Sequence, residues 1–137
     1  MTRPLLLAGL LAAAILCGCG GFKAPDLFIV TRSGAGPHAD LTLLVNEEGG
    51  VNCNRGPTLK LSDSQIVLAR AIQEELKETA EAHLSLAPQP QSVLRYHLRD
   101  ENGTVTFSDN SRGQSKLLHQ LQLFVLQTAQ QVCHLPE

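Results

Sequence analysis

The sequence predicts an α+β fold in which two helices pack on one face of an antiparallel sheet, a two-layer sandwich. Residues 92–109 alternate between apolar and polar side chains across a turn dipeptide, as in a hairpin covered on one side only. Two segments, one that follows Leu61 and one that ends at Cys133, repeat apolar residues at helical spacing along a single stripe. Because both helices and the hairpin have one apolar face each, we expect one shared core within a domain spanning 26–137.

Short strands occupy the first part of this domain. Asp26 to Arg32 is rich in β-branched and aromatic residues, which favours a strand. The glycines and proline of Ser33 to His38 end it in a loop. Leu41 to Val45 has the composition of a second strand, and a short third strand contains Cys53.

The turn between the second and third strands sets the orientation of Cys53. A three-residue loop at Glu48 to Gly50, with glycine in the left-handed conformation, predicts that Val45 faces Cys53. Cys53 then shares a face with Leu41, Leu43 and Val45. A two-residue Gly-Gly loop would turn Cys53 to the opposite face, and the burial expected of a cystine favours the first alternative.

A first helix is predicted after Leu61. Ser62 and Gln65 fit a capping box, and Leu61 and Ile66 occupy the positions of a hydrophobic staple. The apolar stripe contains Leu68, Ala69, Ile72, Leu76 and Ala80. The acidic residues on the opposite side are typical of a solvated helix face, with a partner surface as the alternative.

Asn102-Gly103 is the preferred dipeptide of a type I′ turn and predicts a hairpin in which Leu98 faces Phe107. One face of that hairpin would carry Leu94, Tyr96, Leu98, Val105 and Phe107. The other would carry Arg95, His97, Arg99, Thr104, Thr106 and Ser108. The first set is expected to contact the helices.

A second helix is predicted to begin near Ser111 or Ser115 and to end at Cys133. Its apolar stripe contains Leu117, Leu121, Phe124, Val125, Thr128 and Val132. Cys133 would lie at the edge of this stripe, within reach of the sheet.

The first residues have the layout of a secretory signal. Arg3 precedes the apolar run Leu5 to Leu16, and small residues follow it. This run is shorter than the roughly 20 residues that a transmembrane helix needs.

Leu16-Cys17-Gly18-Cys19 resembles the lipobox of bacterial lipoproteins, with Cys17 at a position where such signals more often have Ala, Ser or Thr. The resemblance implies a signal peptide at 1–18, diacylation of Cys19 and a tether at 19–25. It also implies attachment to the extracytoplasmic side of the cell membrane. The alternative is an ordinary cleaved signal with an incidental cysteine.

After such processing, Cys53 and Cys133 are the cysteines that remain in an oxidising compartment, so we predict that they form a disulfide. Two separate thiols, one of them reactive, are the alternative. Neither cysteine has a second ligand at the spacing of a metal site.

Charge and histidine spacing exclude several functions. Without Arg3 the chain has 10 basic and 13 acidic residues, a net charge of −3 with no basic pole, which argues against nucleic acid as a partner. The five histidines, at 38, 83, 97, 119 and 134, are scattered. We therefore predict no metal, no cofactor and no enzymatic activity.

Arg95, His97 and Arg99 form the one place in the sequence where cationic or titratable side chains are concentrated on the same face of a predicted strand. Three cationic or titratable side chains on an open sheet face suit an acidic partner or a lipid headgroup. The alternative is a solvated face without a partner. With the anchor, this row predicts an interaction module of the cell envelope.

The chain also resembles the emfourin-type inhibitors of bacterial metallopeptidases in layout. The resemblance is carried by Arg32-Ser33-Gly34, Tyr96-His97-Leu98, Gly103 to Asp109 and the closing Leu-rich helix, and it implies an inhibitor of a secreted peptidase. The anchor, two extra cysteines and a missing double glycine after Ser33 differ from that layout, so no inhibitory residue is transferred. Small actinobacterial surface lipoproteins are also similar. Small-ligand binding is a third alternative.

Overall fold

A computed structural model describes residues 26–136, which form six strands and two helices. Their bounds are β1 Asp26–Gly34, β2 Leu41–Asn46, β3 Gly50–Cys53, β4 Thr58–Lys60, α1 Asp63–Glu81, β5 Leu94–Arg99, β6 Thr104–Ser108 and α2 Lys116–Gln131. The strands form one antiparallel sheet in the order β4-β3-β2-β1-β5-β6. The predicted mixed α+β architecture is confirmed.

The core lies between the sheet and the two helices. At its centre the rings of Phe28 on β1 and Phe124 on α2 meet edge to face, with centroids 6.0 Å apart. The helices contribute Ala69, Ile72, Leu76, Ala80, Leu118, Leu121, Phe124, Val125, Thr128 and Ala129 to the buried face. Burial of these side chains on one side leaves the outer face of the sheet uncovered by either helix.

The predicted disulfide is present. Cys53 at the end of β3 and Cys133, two residues beyond α2, are bonded with their Cα atoms 6.0 Å apart. The bond closes a loop across 80 positions of sequence and fixes the end of α2 to the edge region of the sheet.

The register of the β2–β3 hairpin differs from the predicted one by two residues. Leu43, not Val45, faces Cys53, although Cys53 keeps the predicted face. The left-handed residue is Gly49, with φ 84°. The Asn46 side chain accepts hydrogen bonds from the N–H groups of Glu48 and Gly50, at 3.1 and 2.7 Å. This Asx-type capping starts the turn one residue earlier than predicted.

The β5–β6 hairpin also departs from its predicted turn. Arg99 pairs with Thr104, and Tyr96 with Phe107, so the loop has four residues and no type I′ turn forms. Neither Asn102 nor Gly103 has the positive φ which that turn requires. Instead the Asp100 carboxylate accepts from the N–H groups of Asn102 and Gly103, at 2.8 and 2.9 Å. A shift of two residues preserves the predicted faces.

Helix α1 begins with the predicted capping box. The Ser62 hydroxyl accepts from the Gln65 N–H at 3.3 Å, and the Gln65 side chain accepts from the Ser62 N–H at 3.0 Å. Four of the five predicted stripe residues are buried, while Leu68 is half-buried.

Helix α2 begins after the N-cap Ser115 and ends at Gln131, so Cys133 lies outside it. Its stripe is rotated slightly from the predicted one: Leu118 and Ala129 are buried, whereas Leu117 and Val132 are half-buried. The final turn closes with the Cys133 N–H donating to the carbonyl of Thr128 at 3.0 Å, which directs the cysteine back to the sheet.

Two peripheral segments were not predicted from the sequence. Strand β4 has three residues, too few for a visible alternation, and it pairs with β3. Beyond α1, the N–H of Leu86 donates to Thr106 and the N–H of Thr106 donates to Leu84, both at 2.8 Å. The segment 84–86 therefore covers the outer edge of β6.

Helix α1 crosses the sheet at one end of its strands. Helix α1 starts beside Gly49 and finishes beside Gly103, both in loops at the end where β1 begins. We call this the entry end. The loop 35–40 lies at the other, distal end, and Cys53 is level with Val30 in the middle of β1.

Within residues 26–136 neither helix has the length and apolarity to cross a bilayer. The lipobox and Cys19 lie outside the described residues.

Candidate functional site

Arg95, His97 and Arg99 project together from β5 on the face of the sheet away from the helices. They alternate with Leu94, Tyr96 and Leu98, which face the core. Arg95 and His97 are exposed and Arg99 is half-buried. Alternate residues of one strand lie about 7 Å apart, so the three side chains form a line about 13 Å long. We call this line the cationic column.

Small polar side chains flank the cationic column on both sides. Pairing with β1 sets Ser33 beside Arg95 and Thr31 beside His97. On the β6 side, the paired residues are Ser108, Thr106 and Thr104. None of these five neighbours is acidic, and neither is Ile29, which pairs with Arg99 on β1, so the adjoining strands do not compensate the positive charge of the column. Thr31, Ser33, Thr104 and Thr106 place hydroxyl groups beside these cations at the surface, whereas Ser108 is buried.

Two histidines are held at this surface by threonines. The Nδ1 atom of His97 lies 2.8 Å from the hydroxyl of Thr106, which orients the imidazole along the sheet. His83, just beyond α1, places Nδ1 3.2 Å from the hydroxyl of Thr104. Since Thr104 pairs with Arg99, His83 extends the titratable surface past the edge of β6. Sequence spacing gave no sign of this fourth residue.

The cationic column lies in the interior of the sheet. Strand β5 is paired on both sides, with β1 and β6, and β6 is itself covered by segment 84–86. A strand paired on both sides keeps its side chains at fixed spacing. The surface is therefore preorganised.

The loop after β1 turns away from this face. Ser33 stays on the outer face, but the Ala35 N–H donates to the Val93 carbonyl at 3.1 Å. Gly34 packs so closely on that carbonyl that a Cβ could not be accommodated. His38 and its neighbours consequently line a cavity on the helix side of the sheet and not the column.

Arg32 is a residue that the sequence analysis overlooked. It follows Phe28 and Val30 on the core-facing side of β1 and is only 9% exposed. An arginine at an inward position of an alternating strand was the signal available in the sequence.

Among residues 26–136 there is no group of three or more His, Cys, Asp or Glu side chains placed to hold a metal ion. The histidines lie on separate segments of the chain, and two of them, His83 and His97, contact threonines of β6.

No protein-family model, no curated protein and no solved structure matches this chain.

Proposed function

We propose that this protein is a lipid-anchored component of the cell envelope that binds an acidic protein surface through the cationic column. The observation that supports the proposal is the preorganised line of the exposed Arg95 and His97 and the half-buried Arg99, whose neighbours on the adjoining strands include no carboxylate. A patch of one sign attracts a partner of the other sign and suppresses wrong partners. The proposed role is binding, without catalysis.

The proposed anchor is Cys19. Six residues separate it from Asp26, and an extended segment of that length reaches about 20 Å at most. The domain would then be held with its entry end toward the membrane. Because β5 runs antiparallel to β1, Arg99 would lie nearer the membrane and Arg95 farther from it. The column would be accessible from the side to another envelope protein.

The energetics favour orientation and rate over raw affinity. Exposed ion pairs stabilise by about 0–1 kcal/mol each, because water and salt screen them. Arginine adds planar, bidentate hydrogen bonding to carboxylates. The neighbouring hydroxyl groups of Ser33 and the threonines supply further donors and acceptors. We therefore expect the interaction to weaken as ionic strength rises.

Attachment is tested by detergent partitioning of the wild-type protein beside Cys19→Ser. Two or more acyl chains contribute about 0.8 kcal/mol per buried CH₂, so the wild type should require detergent for extraction. The variant should be recovered in the aqueous phase. Equal aqueous recovery of both proteins would reject the anchor.

The surface is tested by affinity capture from envelope extracts with the double variant Arg95→Ala, Arg99→Ala. A matched control is Lys77→Ala, Lys116→Ala, which removes the same charge from exposed positions on the two helices. A partner captured by the wild type and the control, and lost from the column variant, is expected. An identical capture profile for all three proteins would reject the surface, and turnover of a substrate by the purified domain would reject a purely binding role.

A further inference from the structure

Arg32 presents a buried positive charge at the distal end of the sheet. Its side chain enters the layer between the sheet and α2 and is 9% exposed. Removing a guanidinium from water is costly unless its charge is neutralised and its donors are used. The surroundings of Arg32 use some of its N–H donors but do not neutralise its charge.

The identified partners of the guanidinium are uncharged oxygens. Nε donates to the Ala39 carbonyl at 3.0 Å, and Nη2 donates to the His38 carbonyl at 2.9 Å. The Tyr96 hydroxyl also interacts with this group. A guanidinium has five N–H donors, so about two remain for another acceptor. Within residues 26–136 no carboxylate forms an ion pair with Arg32.

Asp109 is the carboxylate that acts electrostatically on the same Tyr96 hydroxyl. Its oxygens are already engaged, since they accept from the Ser92 hydroxyl at 2.8 Å and from the Val93 N–H at 3.1 Å. Asp109 therefore does not neutralise Arg32 by contact.

A cavity of about 480 Å³ opens beside Arg32. Most of its wall is aliphatic: Ala35, Pro37, Val93, Leu94, Leu126 and Ala129. Val93 and Leu126 are 51% and 44% exposed, so the wall of the cavity presents apolar surface to solvent. An apolar pocket with one convergent charged group has the composition of a small-molecule site, and its volume falls within the usual range.

We propose that this cavity binds a small aliphatic carboxylate, of the class of medium-chain fatty acids. The carboxylate would accept the remaining donors of Arg32 in a bidentate pair. The hydrocarbon would cover Val93 and Leu126 and remove their apolar surface from water. Charge complementarity selects an anionic headgroup, and the aliphatic wall selects a hydrocarbon body. The inference does not depend on the cationic column, which lies on the opposite face of the sheet.

Decanoate is the probe, and decan-1-ol is the comparison because it has the same chain length without the charge. Binding to the folded domain is measured by calorimetry and by the fluorescence of Tyr96, the single tyrosine of a chain without tryptophan. Wild-type protein should bind decanoate at least tenfold more tightly than decan-1-ol. Arg32→Gln should remove that preference, after circular dichroism has shown that the variant is folded.

A second pair of variants keeps the test decisive if Arg32→Gln does not fold. Leu126→Glu places a carboxylate at the rim of the cavity, and Leu123→Glu places one on the same helix at an exposed position outside it. Decanoate should lose at least tenfold in affinity for Leu126→Glu and remain unchanged for Leu123→Glu. Absent binding, equal affinity for decanoate and decan-1-ol, or equal losses in the two glutamate variants would overturn the proposal. So would a preference for peptides with a free carboxyl end over decanoate.

Discussion

Cys53 and Cys133 join β3 to the residues just beyond α2, with Cα atoms 6.0 Å apart. Residues 80 positions apart are thereby fixed across the two layers of the fold. A cross-link of this span removes many conformations from the unfolded chain and holds α2 against the sheet.

Breaking this bond should lower the free energy of unfolding by about 2–4 kcal/mol. The measurement is chemical denaturation of wild type and of Cys53→Ser, Cys133→Ser, in oxidised and reduced buffer. Reduction should shift the wild type toward the double variant and leave the variant itself unchanged. Non-reducing peptide mapping that finds two free thiols would contradict the bond.

Gly103→Ala should destabilise the protein by about 1–3 kcal/mol through overpacking. A Cβ at position 103 would collide with the carbonyl of Ala80 in the last turn of α1, and main-chain atoms cannot move aside as a flexible side chain does. Thermal unfolding measures the loss. Glu101→Ala, at an exposed position of the same loop, is the control and should change stability little. Equal stability of Gly103→Ala and wild type would exclude close packing of α1 on this loop.

The pKa of Tyr96 should lie above the usual tyrosine value of 10.0, because burial raises the pKa of its hydroxyl more than the charge of Arg32 lowers it. As the single tyrosine, it can be titrated directly by ultraviolet absorbance. A raised pKa means that the folded state favours the neutral phenol, so stability should decline as pH rises above about 10. Arg32→Gln should raise the pKa further. Titration of the native protein at the same midpoint as the denatured protein would contradict the burial of Tyr96.

Asp109 should contribute to acid sensitivity. Burial alone would raise the pKa of its carboxyl, but hydrogen bonds from the Ser92 hydroxyl and from main-chain N–H groups together lower it. With a folded pKa below the unfolded value of about 3.9, stability is present at neutral pH and lost as pH falls through that range.

Denaturation at pH 7 and at successively lower pH tests this contribution. Asp109→Asn should be less stable than wild type at pH 7 and should lose less stability on acidification. Asp40→Asn, at an exposed position, is the matched control. If the stability of Asp109→Asn and of the wild type fell equally with pH, these hydrogen bonds would not favour the ionised form of Asp109.

The sequence by itself determined the layers, the faces and the disulfide. Alternation in β5 and β6 decided which side chains face the core, and this survived a register error of two residues because the side-chain period of a strand is two. The capping box at Ser62 and Gln65 is a local hydrogen-bonding pattern, so local sequence predicted it. The pairing of Cys53 with Cys133 was predicted by counting the cysteines that remain if the expected signal peptide is removed and Cys19 is acylated.

Only the tertiary structure decided how the turns close and what the distal end contains. The Asp100 side chain competes for the N–H groups of Asn102 and Gly103, and this contact outweighs the turn preference of the dipeptide. His83 reaches the outer face only because α1 ends beside β6. Arg32 becomes the charged wall of a cavity only where the loop 35–39, the start of β5 and α2 meet. These contacts join residues that are distant in sequence, and no periodic pattern in a single segment encodes them.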